Sequence, residues 1–470
     1  MWHQTTTAAL VALCVFPALV GAETYQLSIA PDLDVVRVRV MADQPIAAVV
    51  ARSRAQALAI GQVVPCDALS TQALPLTSQR TLISDGSLHC LDYVAKLSDA
   101  RGLSPAQQND AWRITDPRDW LLRVDESAAD ATVDVRLPPD MQISTPWQPM
   151  RGSERRFHLQ RGDVSGTPYV AFGRFRTVRV PVRDGTLRVA YFGAEADTSL
   201  MRLTPWLTSA MHNIESRFDA LVVAEPQVML FETRSHAGDS PVPFGLVTRT
   251  FGPAVRFWVD SRRSVAELNA DWTATHEFSH LLLPRVRDRW IGEGFASYLQ
   301  NLLMASGGAY SDERAWQMLH AGFGRGAAAL PNVAPAESSR RRGGLMKMYW
   351  AGAALALMAD VEIRMRTDNA VSLPDVLARY TRRQTPENVP ISARELLTAL
   401  DAEAGSSVLM PLYERYAGRP GFPDVAPLLE RLGVTVIGDR VVFDDTAELA
   451  PLRKTLWQRP LSPQTLPPES

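Results

Sequence analysis

Residues 276–280 read His-Glu-Phe-Ser-His, and this short run limits the fold more than any other stretch of the chain. Side chains four apart share one face of a helix. On a helix, His276 and His280 therefore point the same way from a rigid platform, at a spacing suited to gripping one metal ion. Glu277 lies about 100° round the helix axis. It can reach a water on that metal without being a ligand itself. Histidine is scarce, eight in 470 residues, so the motif does not come from a histidine-rich composition. A helix used in this way must be packed from behind and open in front, which requires a sizeable fold around it.

The flanking residues fit that demand. Val265 to Thr275 is compatible with a helix, Ser264 and Glu267 have the form of a capping box, and Pro284 ends the helix soon after His280. Zinc suits the donor set: it lowers the pKa of its water towards ~7 and polarises a carbonyl, while a neighbouring glutamate carries the proton. A catalytic zinc takes a third protein ligand and keeps a fourth position open. The position six residues beyond His280, where a third histidine is placed in some such sites, is Val286. The next acidic candidate with a helical context is in Trp290-Ile291-Gly292-Glu293-Gly294-Phe295-Ala296-Ser297-Tyr298.

This segment resembles the glutamate-bearing helix of the gluzincin metallopeptidases, above all the aminopeptidase N-type and glycyl aminopeptidase-type families. The resemblance implies that Glu293 is the third ligand, beside His276 and His280, with one zinc per chain. Tyr349-Trp350-Ala351-Gly352-Ala353 resembles the tyrosine-bearing helix start of the same families. By that likeness the Tyr349 hydroxyl stabilises the oxyanion of the tetrahedral intermediate. Asp360 to Thr367 and Ser372 to Leu377 are similar to the glycyl aminopeptidase-type continuation, so the likeness runs from about residue 250 to the low 400s. It implies a thermolysin-like zinc peptidase domain, a small sheet plus helices, with a β domain before it and helices after it.

Four features depart from those families. Only 12 residues separate His280 from Glu293, which is short for the aminopeptidase N type. Ala351 stands where the tyrosine motif carries lysine. The counterpart of the strand that anchors a substrate amine, Phe244-Gly245-Leu246-Val247-Thr248-Arg249, has no acid. It can still pair with an extended peptide, and Arg249 is read as structural or solvated. About 85 residues follow Pro386, too few for the expected helices plus a PDZ module.

The rest of the chain gives an α+β multidomain reading. Residues 1–22 contain no acid, lysine or arginine, and their apolar run from Ala8 to Val20 is too short to span a bilayer comfortably. They read as a signal peptide cleaved after Ala22, which places the protein in the periplasm or outside the cell. Residues 23–185 read as an N-terminal β-sandwich: Val35–Val40, Ala131–Leu137 and Thr177–Val182 alternate or are rich in β-branched residues, with Pro, Gly and Asp between them. Residues 186–385 form the thermolysin-like catalytic domain. Within it strands are predicted at Leu187–Phe192, Gln227–Phe231 and Ala254–Val259, and a helix over Thr198–Phe218 with Leu200, Leu203, Leu207, Met211 and Ile214 on one stripe. Further helices are predicted over Gly292–Met304, Asp312–Ala321, Met346–Met365 and Leu373–Arg382. Residues 386–470 read as a helical region, with helices over Ala393–Ala404 and Val408–Ala417 and a Pro-rich tail after Arg459.

Composition limits the partners. The net charge is −2 with no long run of one sign, which offers nothing to nucleic acid or an anionic membrane surface. No segment after the leader has ~18 uninterrupted apolar residues, so no integral membrane span is expected. The leader removed, two cysteines remain, Cys66 and Cys90. They form either a disulfide or two separate thiols. The expected function is an exported zinc-dependent metallopeptidase acting on a peptide or protein substrate, by a zinc-bound water activated by Glu277. Two readings compete: an exported binding or scaffold protein with the same fold and no turnover, and a zinc hydrolase on a non-peptide substrate. Endo- versus aminopeptidase action and oligomeric state stay open.

Overall fold

A computed structural model describes residues 23–66, 73–76, 80–82, 88–104, 107–124, 131–159, 168–219, 221, 225–383, 390–438 and 440–459. The leader and the Pro-rich tail lie outside the described residues. The fold is mixed α+β, with several sheets preceding a largely helical second half.

Alternation builds the first part. In Val35–Ala42, Val36, Val38 and Val40 turn inward while Arg37 and Arg39 turn out, as period-two spacing dictates. This strand pairs antiparallel with Glu23–Ile29, which pairs parallel on its other side with Ala131–Arg136. They lie at the centre of an eight-stranded sheet. Its inner face shares one core with Val49, Val124, Val170 and Phe172 from two three-stranded sheets, and with Trp120 and Trp147. Cys66 and Cys90 form a disulfide with Cα atoms 5.3 Å apart, beside the paired strands Gln62–Pro65 and Cys90–Lys96. Of the two sequence readings, the structure takes this one.

The second part is organised on a five-stranded sheet. Its strands run in the order Arg176–Val182, Gly185–Phe192, Gln227–Glu232, Ala254–Val259 and Phe244–Thr248. Arg176–Val182 was grouped by sequence with the N-terminal β region, but it is the hairpin partner of Gly185–Phe192. The division at 185/186 therefore falls inside one hairpin. Both faces of this sheet are covered, which explains its continuous apolar runs. Val189, Leu230 and Phe257 pack with Leu203, Leu207, Met211 and Ile214 of the helix Ala196–Glu215. Ala190, Phe192, Met229 and Phe231 pack instead with Trp112, Ile114 and Tyr169 from the preceding sheets. Phe244–Thr248 is the edge strand.

Two sequence expectations are corrected. The run Val265–Thr275 is not one helix: Val265–Ala270 and Thr273–His280 are separated at Asp271, whose backbone is extended (φ −79°, ψ 136°). Its carboxylate accepts hydrogen bonds from the Thr273 N–H at 2.8 Å and the Ser240 hydroxyl at 2.6 Å, a local alternative that stops helix propagation. The C-terminal region is not wholly helical either. After the helices Ala393–Ala404, Leu409–Tyr416 and Ala426–Leu432, a hairpin pairs Val434–Ile437 with Arg440–Phe443. Both strands are short and β-branched, and Gly438 sits between them at φ 60°, so the signal was present in the sequence.

Candidate metal centre

Three elements meet in front of the edge strand. The first is the motif helix, Thr273–His280. Its back is fixed by Phe278, whose ring meets Phe257 of the sheet edge-on at 5.8 Å. Its C-terminal carbonyls are capped by Arg249, which donates to the His280 and Leu283 carbonyl oxygens. Arg249 is thus structural. The His276 and His280 rings stand one turn apart, centroids 5.0 Å from each other.

The second is the ligand helix, Arg289–Ser306. It brings the Glu293 carboxylate to the two imidazoles: Oε2 lies 3.5 Å from His276 Nε2 and 3.2 Å from His280 Nε2. Zinc–ligand bonds of ~2.0–2.2 Å place tetrahedral ligand atoms roughly 3.3–3.6 Å apart. The spacings of 3.2 and 3.5 Å lie close to that range, and the three potential ligand atoms all lie within 4.8 Å of one another. Among the described residues this is the one group of three or more His, Cys, Asp or Glu side chains so arranged. The donor set, two imidazoles and one carboxylate, suits zinc.

A residue that sequence reasoning missed completes the set. Gln300 Oε1 lies 3.2 Å from His276 Nδ1 and is buried. An N–H donated there leaves the Nε2 lone pair facing Glu293, as an oriented ligand needs. Gln300 is seven residues after Glu293, two turns along the same face, a relation that becomes informative only once Glu293 is placed at the histidines.

The 12-residue spacer between His280 and Glu293 is short but held. Val286 bridges Ile391 in parallel, the Arg287 N–H donates to the Ile391 carbonyl at 2.8 Å, and the Ile391 N–H donates to the Arg285 carbonyl at 2.9 Å. Asp288 Oδ2 accepts the Ala393 N–H at 2.8 Å. The C-terminal helices thereby fix where the ligand helix begins.

Glu277 is buried beside the edge strand. A β-carbon on Gly245 would lie 2.5 Å from Glu277 Cγ and 2.9 Å from Oε1, so only glycine lets the strand pass this close. Burial pushes the Glu277 carboxyl up to about 7, against the lowering effect of His276 and the hydrogen bond from the Val247 N–H; the Glu293 charge raises it further. Burial also works against the Glu293 charge, but the adjoining His276 and His280 outweigh it and hold that carboxyl below its usual range.

The third element is the helix Leu345–Arg366, which carries Tyr349. The Tyr349 ring centroid lies 5.8 Å from that of His276. Burial, with the Glu293 and Glu277 charges, raises its pKa and keeps the phenol a donor. The helix reaches this position through a glycine crossing. A β-carbon on Gly294 would lie 2.3 Å from Gly352 Cα, and one on Gly352 would lie 1.9 Å from the Trp290 carbonyl oxygen. Ala351, where the related motif has lysine, is fully buried. Glu277, His280, Glu293, Tyr349 and the edge strand all line one cleft of about 410 Å³.

No family model and no curated protein matches this sequence. Solved structures do match. One is an aminopeptidase N family protein from Idiomarina loihiensis, with a TM-score of 0.61 at 13% identity, covering 88% of this chain and 78% of that one. At that identity the likeness shows a shared fold, distantly aminopeptidase N-like, over most of both chains.

Proposed function

We propose that the protein is an exported zinc-dependent metallopeptidase, with zinc on His276, His280 and Glu293. The observation that carries this reading is the convergence of these three donors beside a cleft lined by Glu277, His280, Glu293 and the edge strand Phe244–Thr248. Bound there, zinc supplies Lewis acidity, polarising a carbonyl and making water a nucleophile near neutral pH. Glu277 takes the attacking water's proton and delivers it to the departing amine. Tyr349 donates its O–H to the oxygen that gains charge. The free edge of Phe244–Thr248 pairs with an extended peptide and lays it across Glu277. The aminopeptidase N-like fold supports a peptidase. The Cys66–Cys90 disulfide supports an oxidising compartment, in keeping with a leader cleaved after Ala22. In this reading the sheets before the Arg176–Phe192 hairpin dock substrate or act as scaffold, and the helices after residue 386 brace the ligand helix.

Zinc analysis with a peptide-library digest of wild type and Glu277→Gln tests the proposal. About one zinc per chain is expected in both proteins, with cleavage in wild type only. Purified protein without metal would sink the site. Metal with no cleavage of any peptide would favour a binding protein or a hydrolase of other substrates.

A further inference from the structure

The cleft's charges divide into those already committed and those facing outward. Glu293 is committed to the two histidines, through Oε2. Glu277 is buried under the edge strand and accepts the Val247 N–H. Arg249 is committed to the carbonyls of His280 and Leu283. Among the described residues that line the cleft, no further Asp or Glu remains to hold a substrate ammonium. Two more arginines do line it, Arg285 and Arg289. The Arg289 side chain is 59% exposed, and it makes a loose 3.6 Å approach to Glu293 Oε1. A guanidinium carries five N–H donors, so one loose ion pair leaves capacity for a further acceptor. Exposed Arg340 and Arg342 shortly precede Leu345, another lining residue, while Arg341 between them pairs with Glu337 at 3.7 Å.

Resting on the peptidase reading above, we infer that this cleft selects its peptides by a carboxylate, which Arg289 grips, and not by a free amino terminus. Glu293 has one oxygen on the histidines and the other near Arg289, so the guanidinium lies about one carboxylate's width from the metal ligands. At ~3.3 Å per extended residue, the recognised carboxylate sits one or two residues from the bond that is cut. A planar guanidinium matches a carboxylate bidentately, and an ammonium in the same place would be repelled. The recognised group is an acidic side chain or the peptide's own C-terminus, which share this chemistry.

The test is titration calorimetry of peptides into zinc-loaded Glu277→Gln protein, which binds without cutting. One parent peptide carries a central Glu and a free C-terminus. Its variants replace Glu with Gln, amidate the C-terminus, or acetylate the N-terminus. Neutralising one of the two carboxylates is expected to weaken binding roughly 10- to 100-fold, the range for a charge-assisted hydrogen bond, and identifies which one is read. Acetylation is expected to change nothing. Adding Arg289→Gln should erase the discrimination with zinc content unchanged, and Arg289→Lys should restore part of it. Weakening by acetylation instead would overturn the inference in favour of amine anchoring. Equal losses for acidic and neutral peptides in Arg289→Gln would overturn it too, reducing Arg289 to a support for Glu293. If wild type holds zinc and cuts peptides without regard to carboxylates, this inference fails alone. If no zinc is held, both readings fail.

Discussion

Replacing Gly352 with alanine should damage the protein through a single methyl group. The new β-carbon would lie 1.9 Å from the Trp290 carbonyl oxygen and 2.8 Å from Gly294 Cα. A carbon–oxygen contact tolerates roughly 3.3 Å, so the two helices must separate by roughly 1.4 Å. Both neighbours are backbone, and no rotamer change relieves the clash. Overpacking of this kind costs ~1–3 kcal/mol, and a backbone-to-backbone case belongs at the top, ~3 kcal/mol. The displaced residues are next to Glu293 on one helix and three beyond Tyr349 on the other, so the site moves with them. A shift of about 1 Å in a catalytic group can cost on the order of 100-fold in rate. Urea denaturation followed by tryptophan fluorescence and zinc affinity by chelator competition measure the two effects. Gly324→Ala is the matched control. It lies exposed on the helix Asp312–Ala328 with no atom within 4 Å of a new β-carbon. There the same substitution should stabilise by ~0.5–1 kcal/mol. A Gly352→Ala protein with the wild-type urea midpoint and zinc affinity would refute the glycine crossing as the device that sets Tyr349 against Glu293.

Gln300→Leu should weaken zinc binding by roughly 10- to 100-fold, because His276 loses the acceptor that orients it; chelator competition reads this. Tyr349→Phe should leave zinc content intact and lower kcat by about 100- to 1,000-fold, the effect of losing one oxyanion donor, measured with a peptide the wild type cuts. Asp260 gives a pH test. Its hydrogen bond from Arg262, against the opposing effect of burial and helped by the Ser235 N–H, holds its carboxyl well below the usual range. A depressed carboxyl adds stability that is complete above the unfolded pKa of ~3.9 and is lost as pH falls towards the folded value. Asp260→Asn should therefore melt below wild type at pH 6, with the gap narrowing under about pH 4. An unchanged gap in melts at low pH would remove Asp260 from the account. Reducing the disulfide, which joins residues 24 apart, should cost ~3 kcal/mol, seen as a lower melting temperature with zinc affinity unchanged.

The parts of the site that were legible are those where chemistry and period coincide. His276, Glu277 and His280 could be placed from helical spacing alone, and the structure brings the two histidines together with Glu293 and sets Glu277 on the same cleft as His280 and Glu293. Glu293 and Tyr349 rested on likeness to a family, because their partnership is made by a helix crossing that no local pattern records. The glycines that make the crossing, Gly294 and Gly352, lay inside the quoted motifs but gave no sign of touching. Gln300 was missed because a glutamine on a buried helix face has no distinctive spacing until its partner's position is known. The strand Arg176–Val182 was read correctly as a strand and grouped with the wrong neighbours, since alternation fixes which side chains turn inward but not which sheet a strand joins. The break at Asp271 was missed for the opposite reason: the helical pattern continues through it, and a side-chain hydrogen bond decides the outcome.

That break bears on how the site holds its shape. The motif helix has eight residues, and an isolated helix under ~12–15 residues is marginal in water. Its geometry is therefore imposed from outside. Asp271 accepts the Thr273 N–H at the entry, Arg249 caps the carbonyls at the exit, Phe278 anchors the back on Phe257, and Gln300 holds His276 from the ligand helix. Each contact comes from a different element, and three lie outside the motif. A five-residue pattern thus supplies the ligands, while the edge strand, the sheet and the ligand helix supply their directions. This division explains why the edge strand lacks a residue to hold a substrate amine and yet cannot be spared. Gly245 and Val247 confine Glu277, Arg249 secures His280, and the strand stands at the edge of its sheet, on the side from which a peptide backbone would approach. Selection by charge then falls to Arg289, a half-exposed guanidinium on the cleft wall held only by a 3.6 Å approach to Glu293.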